Sequence, residues 1–137
     1  MNPGLTAEQH CLETLNKLRA DAGVAALALD DKLNAFAQEG STELAAGGAA
    51  HGHFAAAGDS IWTSGFCGGA AENQAPGWPT TDVNTTVDAV IAAMMDEGPG
   101  GGHHDNILNK DSRLVGVGLV VKDAKLYFTN DFSPACK

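Results

Sequence analysis

The chain has 137 residues, 44% of them hydrophobic and 18% charged, which is typical of one folded domain and argues against disorder. Its 17 acidic residues outnumber its 8 lysines and arginines, and the formal net charge is −9. Because the few cations are scattered and a polyanion would be repelled, we expect no nucleic-acid partner. No stretch approaches the roughly 18 to 20 consecutive apolar residues that span a bilayer, so no transmembrane segment is predicted.

The first residues and the cysteines bear on the compartment. Residues 1–4 lack the cationic, apolar and cleavage regions of a signal peptide, which leaves a cytoplasmic chain or a mature secreted domain with a starting Met. Cys11, Cys67 and Cys136 allow three pairings, each of which leaves one thiol. Position near the two ends mildly favours a tie between Cys11 and Cys136, and three reduced thiols are the alternative.

Two helices are predicted in the N-terminal third. Thr6 and Gln9 have the spacing of a capping box, and Gly23 follows as a stop. The apolar positions between them recur at helical intervals: Cys11, Leu12, Leu15, Leu18 and Ala22. Asp30 or Asp31 caps the second helix, which ends at a pair of glycines. Its apolar stripe consists of Leu33, Phe36, Ala37 and Leu44.

The middle of the chain alternates between irregular and helical patterns. Residues 49–79 show little periodicity, and a long irregular segment inside a compact domain is usually functional. A third helix begins near Thr85 and Asp88, and the glycine-rich run 98–102 ends it. Its predicted buried face consists of Val87, Val90, Ile91, Met94 and Met95.

A β-hairpin closes the chain. Residues 114–121 are β-branched and apolar, residues 122–125 form the turn, and residues 126–132 return. Gly116 and Gly118 share one face of the first strand, where a helix can approach closely. Helices followed by a hairpin indicate an α+β fold with antiparallel strands.

Histidines and carboxylates gather in the glycine-rich segments. Four of the five histidines form two doublets, His51 with His53 and His103 with His104, and two glutamates lie in or beside these segments, Glu72 and Glu97. Imidazoles and carboxylates are what a divalent transition metal or a general acid–base pair needs. The alternative is a set of hydrogen-bonded surface histidines in loops.

Local geometry separates these candidates. In a strand, His51 and His53 would point the same way, whereas the adjacent His103 and His104 diverge in any regular element. Glu97 ends a helix, where the helix dipole disfavours a carboxylate, so it is a functional candidate. The alternative for Glu97 is a solvated terminal charge.

The order of these residues resembles the CAP superfamily of cysteine-rich secretory, antigen 5 and pathogenesis-related 1 proteins, over about residues 8–132. Four segments carry the resemblance: HGHF at 51–54, AENQ at 71–74, MMDE at 94–97 and GHHDNIL at 102–108. The opening helices and closing strands are also similar to those of the family. The absence of multiple disulfides fits a bacterial-type member.

The resemblance implies one domain over residues 1–137, an α-β-α sandwich with an antiparallel sheet between helices. It also implies a cleft lined by two histidines and two glutamates. Carried over, these are His53 and His103 as metal ligands, with His51 as the alternative to His53, and Glu72 and Glu97 beside them. The implied cofactor is Zn²⁺ or another divalent cation.

Three functions follow from the resemblance, for a chain expected to be secreted or extracytoplasmic and monomeric. The first is an extracellular binding or signalling module with an unknown protein, peptide or lipid partner. The second is a metal-assisted hydrolase with Glu72 or Glu97 as general base, which we rank lower because the sequence marks no activated nucleophile. The third is lipid or sterol binding, for which the apolar candidates are Met94, Met95, Trp62 and Trp78.

Overall fold

In the computed structural model, which describes residues 6–136, a four-stranded sheet lies between two layers of helices. The helices are α1 (Ala7–Asp21), α2 (Asp31–Ala45), α3 (Gly52–Ala57), α4 (Val83–Met95) and α5 (Gly102–Ile107), with a 3₁₀ helix at Gly58–Thr63. The strands are β1 (Ala28–Leu29), β2 (Ala71–Pro79), β3 (Leu114–Lys122) and β4 (Lys125–Ser133). Their order across the sheet is β1-β3-β4-β2. No helix among the described residues has the length and apolar character needed to cross a bilayer.

The predicted α+β class is confirmed, and the three long strands are antiparallel as expected. The short β1 was not predicted and makes the sheet mixed, because it pairs parallel to β3. Its two residues carry too little pattern to be distinguished from a connector in the sequence.

Local sequence starts the first two helices as predicted. Thr6 and Gln9 form a complete capping box, with each side chain bonded to the other residue's backbone N–H at 3.1 Å. Asp30, and not Asp31, caps α2 by accepting from the N–H of Leu33 at 2.9 Å. These bonds satisfy N–H groups that have no partner within the helix.

The two faces of the hairpin receive different helices. Gly116 and Gly118 of β3 face α2, whose backbone at Leu33 and Ala37 comes close to them, as the glycine pattern predicts. The opposite face packs against α1 and α4 in the larger apolar core. That core includes Cys11, Leu15, Val87, Val90, Ile91, Val115, Val117 and Phe128. The result is the helix–sheet–helix layering that the resemblance implied.

Residues 49–79 are more ordered than their pattern predicts. They contain α3, the 3₁₀ helix and the nine-residue strand β2. The sequence does not predict β2, because Pro76 and Gly77 interrupt the pattern of a strand. The strand has a bulge at this point, which the left-handed backbone of Gly77 (φ +79°) accommodates. Pairing with β4 decides the strand, and this is a long-range interaction that local periodicity does not report. The helix α5 was also not predicted, since it is short and follows a glycine run.

The disulfide joins Cys67 and Cys136, so the mild preference for a tie between Cys11 and Cys136 was wrong. Cys11 lies on the inner face of α1 and is buried in the core. Burial raises the pKa of its thiol to about 12. A terminal position in the sequence therefore did not mean a terminal position in space.

Arg19 of α1 is a buried charged side chain that fastens the loop between α5 and β3. Its guanidinium donates to the carbonyl oxygens of Ala25, Ile107, Asn109 and Ser112, at 2.8 to 3.0 Å. Because a buried guanidinium is costly without partners, these four hydrogen bonds hold the end of α5 in place.

Candidate functional site

A cleft of about 330 Å³ opens at the outer edge of β2. It is lined by His51, Glu72, Asn73, Glu97, Gly102, His103 and Asn106. Because β2 is an edge strand, no further strand separates the two helical layers there. Side chains from the α2 side and from the α4–α5 side therefore reach the same hollow.

Glu72 and Asn73 leave β2 on opposite faces of the sheet. Two residues beyond Glu72, Gln74 donates to Thr129, which is itself bonded to Ser41 of α2. The alternation of a strand therefore turns Glu72 toward the α2 layer and Asn73 toward the α4–α5 layer.

His51 contributes the first imidazole of the cleft. Its Nδ1 lies 3.0 Å from Oε1 of Glu72, whose side chain is only 1% exposed. His51 has a left-handed backbone with φ 61°, and its N–H donates to Oε1 of Gln74 at 2.5 Å. A non-glycine residue in this region is strained, so the Gln74 and Glu72 contacts hold His51 in an unfavourable backbone state.

Glu97 and His103 form the second pair, across the glycine-rich loop. Glu97 Oε2 lies 2.5 Å from Nδ1 of His103, and its Oε1 accepts from the backbone N–H of His103 at 3.0 Å. The hydrogen bond from the imidazole is the main reason that the pKa of Glu97 is lowered. A Cβ at Gly101 would overlap the Glu97 side chain, so this loop needs its glycine in order to close around the carboxylate.

Two asparagines tie the second pair to β2. Asn73 donates to the carbonyl oxygen of His103 at 3.1 Å, and Asn106 donates to Oδ1 of Asn73 at 2.8 Å. Residue type and spacing did not predict a role for Asn73, Gln74 or Asn106. All three stand within the segments AENQ and GHHDNIL, which were the available signal.

The structure does not bring every candidate histidine to the cleft. His53 lies in α3, where its ring packs against Phe36 with centroids 4.5 Å apart and its Nδ1 is 3.5 Å from Glu43. The structure therefore places His51, the alternative, beside Glu72, and the preferred His53 elsewhere. The reason is that residues 51–53 begin a helix and not a strand, so their side chains diverge. His104 pairs with Asp105, away from the cleft lining.

The arrangement leaves one nitrogen of each cleft imidazole available. Within residues 6–136, Nε2 of His51 and Nε2 of His103 have no hydrogen-bond partner, while each Nδ1 faces a glutamate. A carboxylate on one ring nitrogen orients the other for coordination. No group of three or more histidine, cysteine or acidic side chains in this part of the chain is arranged to hold a metal ion.

A second hollow of about 230 Å³ adjoins the cleft between β2 and α4, and we call it the apolar groove. It shares Glu97 and His103 with the cleft. Its apolar lining is Ala75, Pro76, Trp78, Val90, Ala93 and Met94. Of the four residues considered for lipid binding, Trp78 and Met94 line this groove, whereas Trp62 lies on the 3₁₀ helix with 52% exposure.

Comparisons with known proteins identify the family of the chain. The model of the cysteine-rich secretory protein family, CAP, matches residues 12–132. A comparison with curated proteins gives no match.

Solved structures share the fold. A cysteine-rich secretory protein from Staphylococcus aureus has a TM-score of 0.69 and 18% identity over 94% of this chain, which spans only 38% of that protein. An outer surface protein from Borrelia burgdorferi has a TM-score of 0.72 and 18% identity, over 98% of this chain and 100% of its own. A third neighbour, solved with Zn²⁺, has a TM-score of 0.71 and 14% identity, covering 98% of this chain and 84% of its own. At such identities the likeness establishes the fold alone.

Proposed function

Because the chain belongs to the CAP family of cysteine-rich secretory proteins, we propose that it is an extracytoplasmic binding module whose cleft holds a divalent cation such as zinc. The ligands are Nε2 of His51 and Nε2 of His103. One observation carries the proposal: two imidazoles from distant segments line one cleft, and each has its Nδ1 held by a glutamate.

The residues present fit zinc by the chemistry of their donors. Neutral imidazole is a common zinc ligand, and a carboxylate on the second ring nitrogen raises its basicity and fixes its orientation. Glu72 and Glu97 have this supporting role. A zinc ion held by two imidazoles has open coordination positions for water or for a donor atom of a partner. The neighbour solved with Zn²⁺ supports this assignment.

The geometry favours binding over hydrolysis. A general base must reach a substrate proton or a water within about 3 Å. Glu72 is almost fully buried and engaged with His51, and both oxygens of Glu97 accept from His103. Neither carboxylate is therefore placed as an unengaged base.

The apolar groove supports a peptide-like partner better than an enclosed lipid. Its volume of about 230 Å³ lies below the roughly 300 to 1,000 Å³ of pockets that enclose drug-sized ligands. It has room for an apolar side chain next to the cation, and not for a buried sterol. A partner that reaches Trp78 and the cation together would combine both sites.

The extracytoplasmic location is supported by the disulfide between Cys67 and Cys136, because disulfides persist in oxidising compartments. A neighbour described as an extracellular protein from Bacillus anthracis and the surface protein from Borrelia burgdorferi are in line with it.

Calorimetric titration with zinc tests the proposal, and each histidine doublet supplies its own control. His51→Ala and His103→Ala should weaken zinc binding by more than about 100-fold, beyond what loss of an outer partner costs. His53→Gln and His104→Gln should leave the affinity unchanged, since these rings lie outside the cleft. Equal losses in all four variants, or none in the first two, would refute the site.

A further inference from the structure

Beneath the cleft, two carboxyl groups meet inside the protein. Glu72 of β2 and Asp131 of β4 are directly opposite each other in the strand register. Asp131 is fully buried, and the Glu72 side chain is 1% exposed. Asp131 points toward the α2 layer, like Thr129 two residues before it, which is bonded to Ser41. The two carboxyl groups are therefore side by side on the same face of the sheet.

If both groups of this pair are ionised, some of their buried oxygens have no hydrogen-bond donor. Glu72 Oε1 faces His51, but Glu72 Oε2 and both oxygens of Asp131 are buried without a donor from residues 6–136. Two like charges in a buried site repel strongly, and unpaired buried oxygens carry a large desolvation penalty. One proton between the two groups removes the repulsion and supplies a hydrogen bond to Oε2.

The surroundings decide which group carries that proton. Nδ1 of His51 lies 3.0 Å from Oε1 of Glu72, whereas no cation or N–H among the described residues reaches the Asp131 carboxyl. In the strand register, Asp131 lies opposite Glu72 of β2 on one side and Gly116 of β3 on the other. Burial, followed by the adjacent Glu72, raises the pKa of Asp131 well above its ordinary value.

We propose that Asp131 is a positioning residue, a neutral carboxylic acid that donates its proton to Oε2 of Glu72. This bond holds the Glu72 carboxylate in the orientation that accepts from Nδ1 of His51, so that His51 keeps the tautomer with Nε2 available. The protein thus supports the first imidazole through two successive groups. The value of this arrangement for cation binding rests on the proposed function, but the shared proton and the His51 tautomer do not.

Two substitutions of similar size test whether Asp131 acts as a hydrogen-bond donor or only occupies space in the core. Asp131→Asn keeps an N–H donor in the same place and should retain the wild-type tautomer of His51. Asp131→Leu removes the donor and should lose the dominant Nδ1–H form, read from the ¹⁵N shifts of the ring without any metal. The His103 ring, held by Glu97, should be unchanged in both variants and serves as the internal control.

Zinc titration adds a second readout. Asp131→Leu should weaken zinc binding by about 10- to 100-fold, the usual effect of losing an outer-shell partner. Asp131→Asn should bind zinc with nearly the affinity of the wild type, because it keeps the donor. In the wild type, ¹³C-labelled aspartate should show the Asp131 carboxyl protonated at neutral pH. This last measurement needs no variant, so it applies even where Asp131→Leu fails to fold.

Each result bears on a different claim. An ionised Asp131 at neutral pH, or equal His51 tautomers in the Asn and Leu variants, overturns the inference. Absence of zinc binding in the wild type refutes the proposed function, while the ring and carboxyl signals still decide the role of Asp131.

Discussion

The backbone of α2 at Leu33 lies directly over Gly116 of β3, with no room between them for a methyl group. The obstacle is main chain and not the end of a flexible side chain, so Gly116→Ala forces the helix away from the sheet. We expect it to destabilise the fold by about 3 kcal/mol, as overpacking does in a close-packed interior. Urea unfolding checks this value.

Gly102→Ala is the matched control for Gly116→Ala. A Cβ at Gly102 meets nothing within 4 Å, and the residue begins α5 with ordinary backbone geometry. Its unfolding midpoint should stay close to that of the wild type. Equal effects of the two substitutions would contradict the close approach of α2.

The strained backbone at His51 predicts that glycine and alanine substitutions rank in opposite orders of stability at positions 51 and 53. Both His51→Gly and His51→Ala remove the imidazole, but only glycine adopts φ 61° without a steric penalty. The glycine variant should be more stable than the alanine variant by about 1 kcal/mol. At His53, inside α3, alanine should instead be more stable than glycine by about 0.5 to 1 kcal/mol. Thermal unfolding of the four variants tests both signs, and the same order at both positions would contradict the left-handed conformation.

The hydrogen bond from His103 predicts that the contribution of Glu97 to stability depends on pH. When the pKa of a carboxyl is lower in the folded state than in the unfolded state, the ionised group stabilises the fold. For Glu97 this stabilisation is fully present at pH values above its ordinary pKa of 4.5, and it is lost as the pH falls through the lowered pKa of the folded state. The melting temperature of the wild type should therefore exceed that of Glu97→Gln near pH 6, and the difference should shrink below pH 4.5.

Asp96→Asn controls for a general loss of negative charge from the same loop. It removes an adjacent acid for which the structure shows no bond to an imidazole. Its difference from the wild type should not share the acid dependence of Glu97→Gln. A pH-independent gap between the wild type and Glu97→Gln would argue against the His103 bond.

The disulfide predicts both a thiol count and a stability loss. Cys67 and Cys136 are 69 residues apart, and Cys67→Ser with Cys136→Ser should cost about 4 kcal/mol by the chain-entropy relation. Under non-reducing conditions, only Cys11 should react with a thiol reagent, and only after unfolding, because burial raises its pKa to about 12. Three reactive thiols per unfolded chain would contradict the pairing.

The elements that the sequence predicted well are those that local contacts stabilise. The capping box at Thr6, the apolar stripes of α1, α2 and α4, and the glycine face of β3 all report on the residue's own element. By contrast, β2 is held by pairing with β4, and α5 is held partly by Arg19 and Asn73, which lie in other elements and donate to its backbone carbonyls. Local periodicity contains no record of such partners.

The candidate site divides in the same way. The sequence predicted which kinds of side chain form the site, since imidazoles and carboxylates lie in the glycine-rich segments that resemble one family. The choice between His51 and His53 was not determined by the sequence, because it depends on a left-handed residue at the start of α3 and on Glu72 across the sheet edge. Asp131 gave no signal, because it is one of several polar residues in β4, beside Thr129 and Asn130, and lies outside the glycine-rich segments.

Residue types and their spacing alone therefore established the α+β class, most helices, the closing hairpin and the kinds of group that could bind a cation. Only the tertiary structure decided that β2 is an edge strand, which histidine faces Glu72, and that a second acid lies beneath that glutamate. The physical reason is the distance along the chain over which each interaction acts. Helix caps and apolar stripes act within a few residues, whereas strand order and buried charge pairs depend on contacts between segments far apart in the chain.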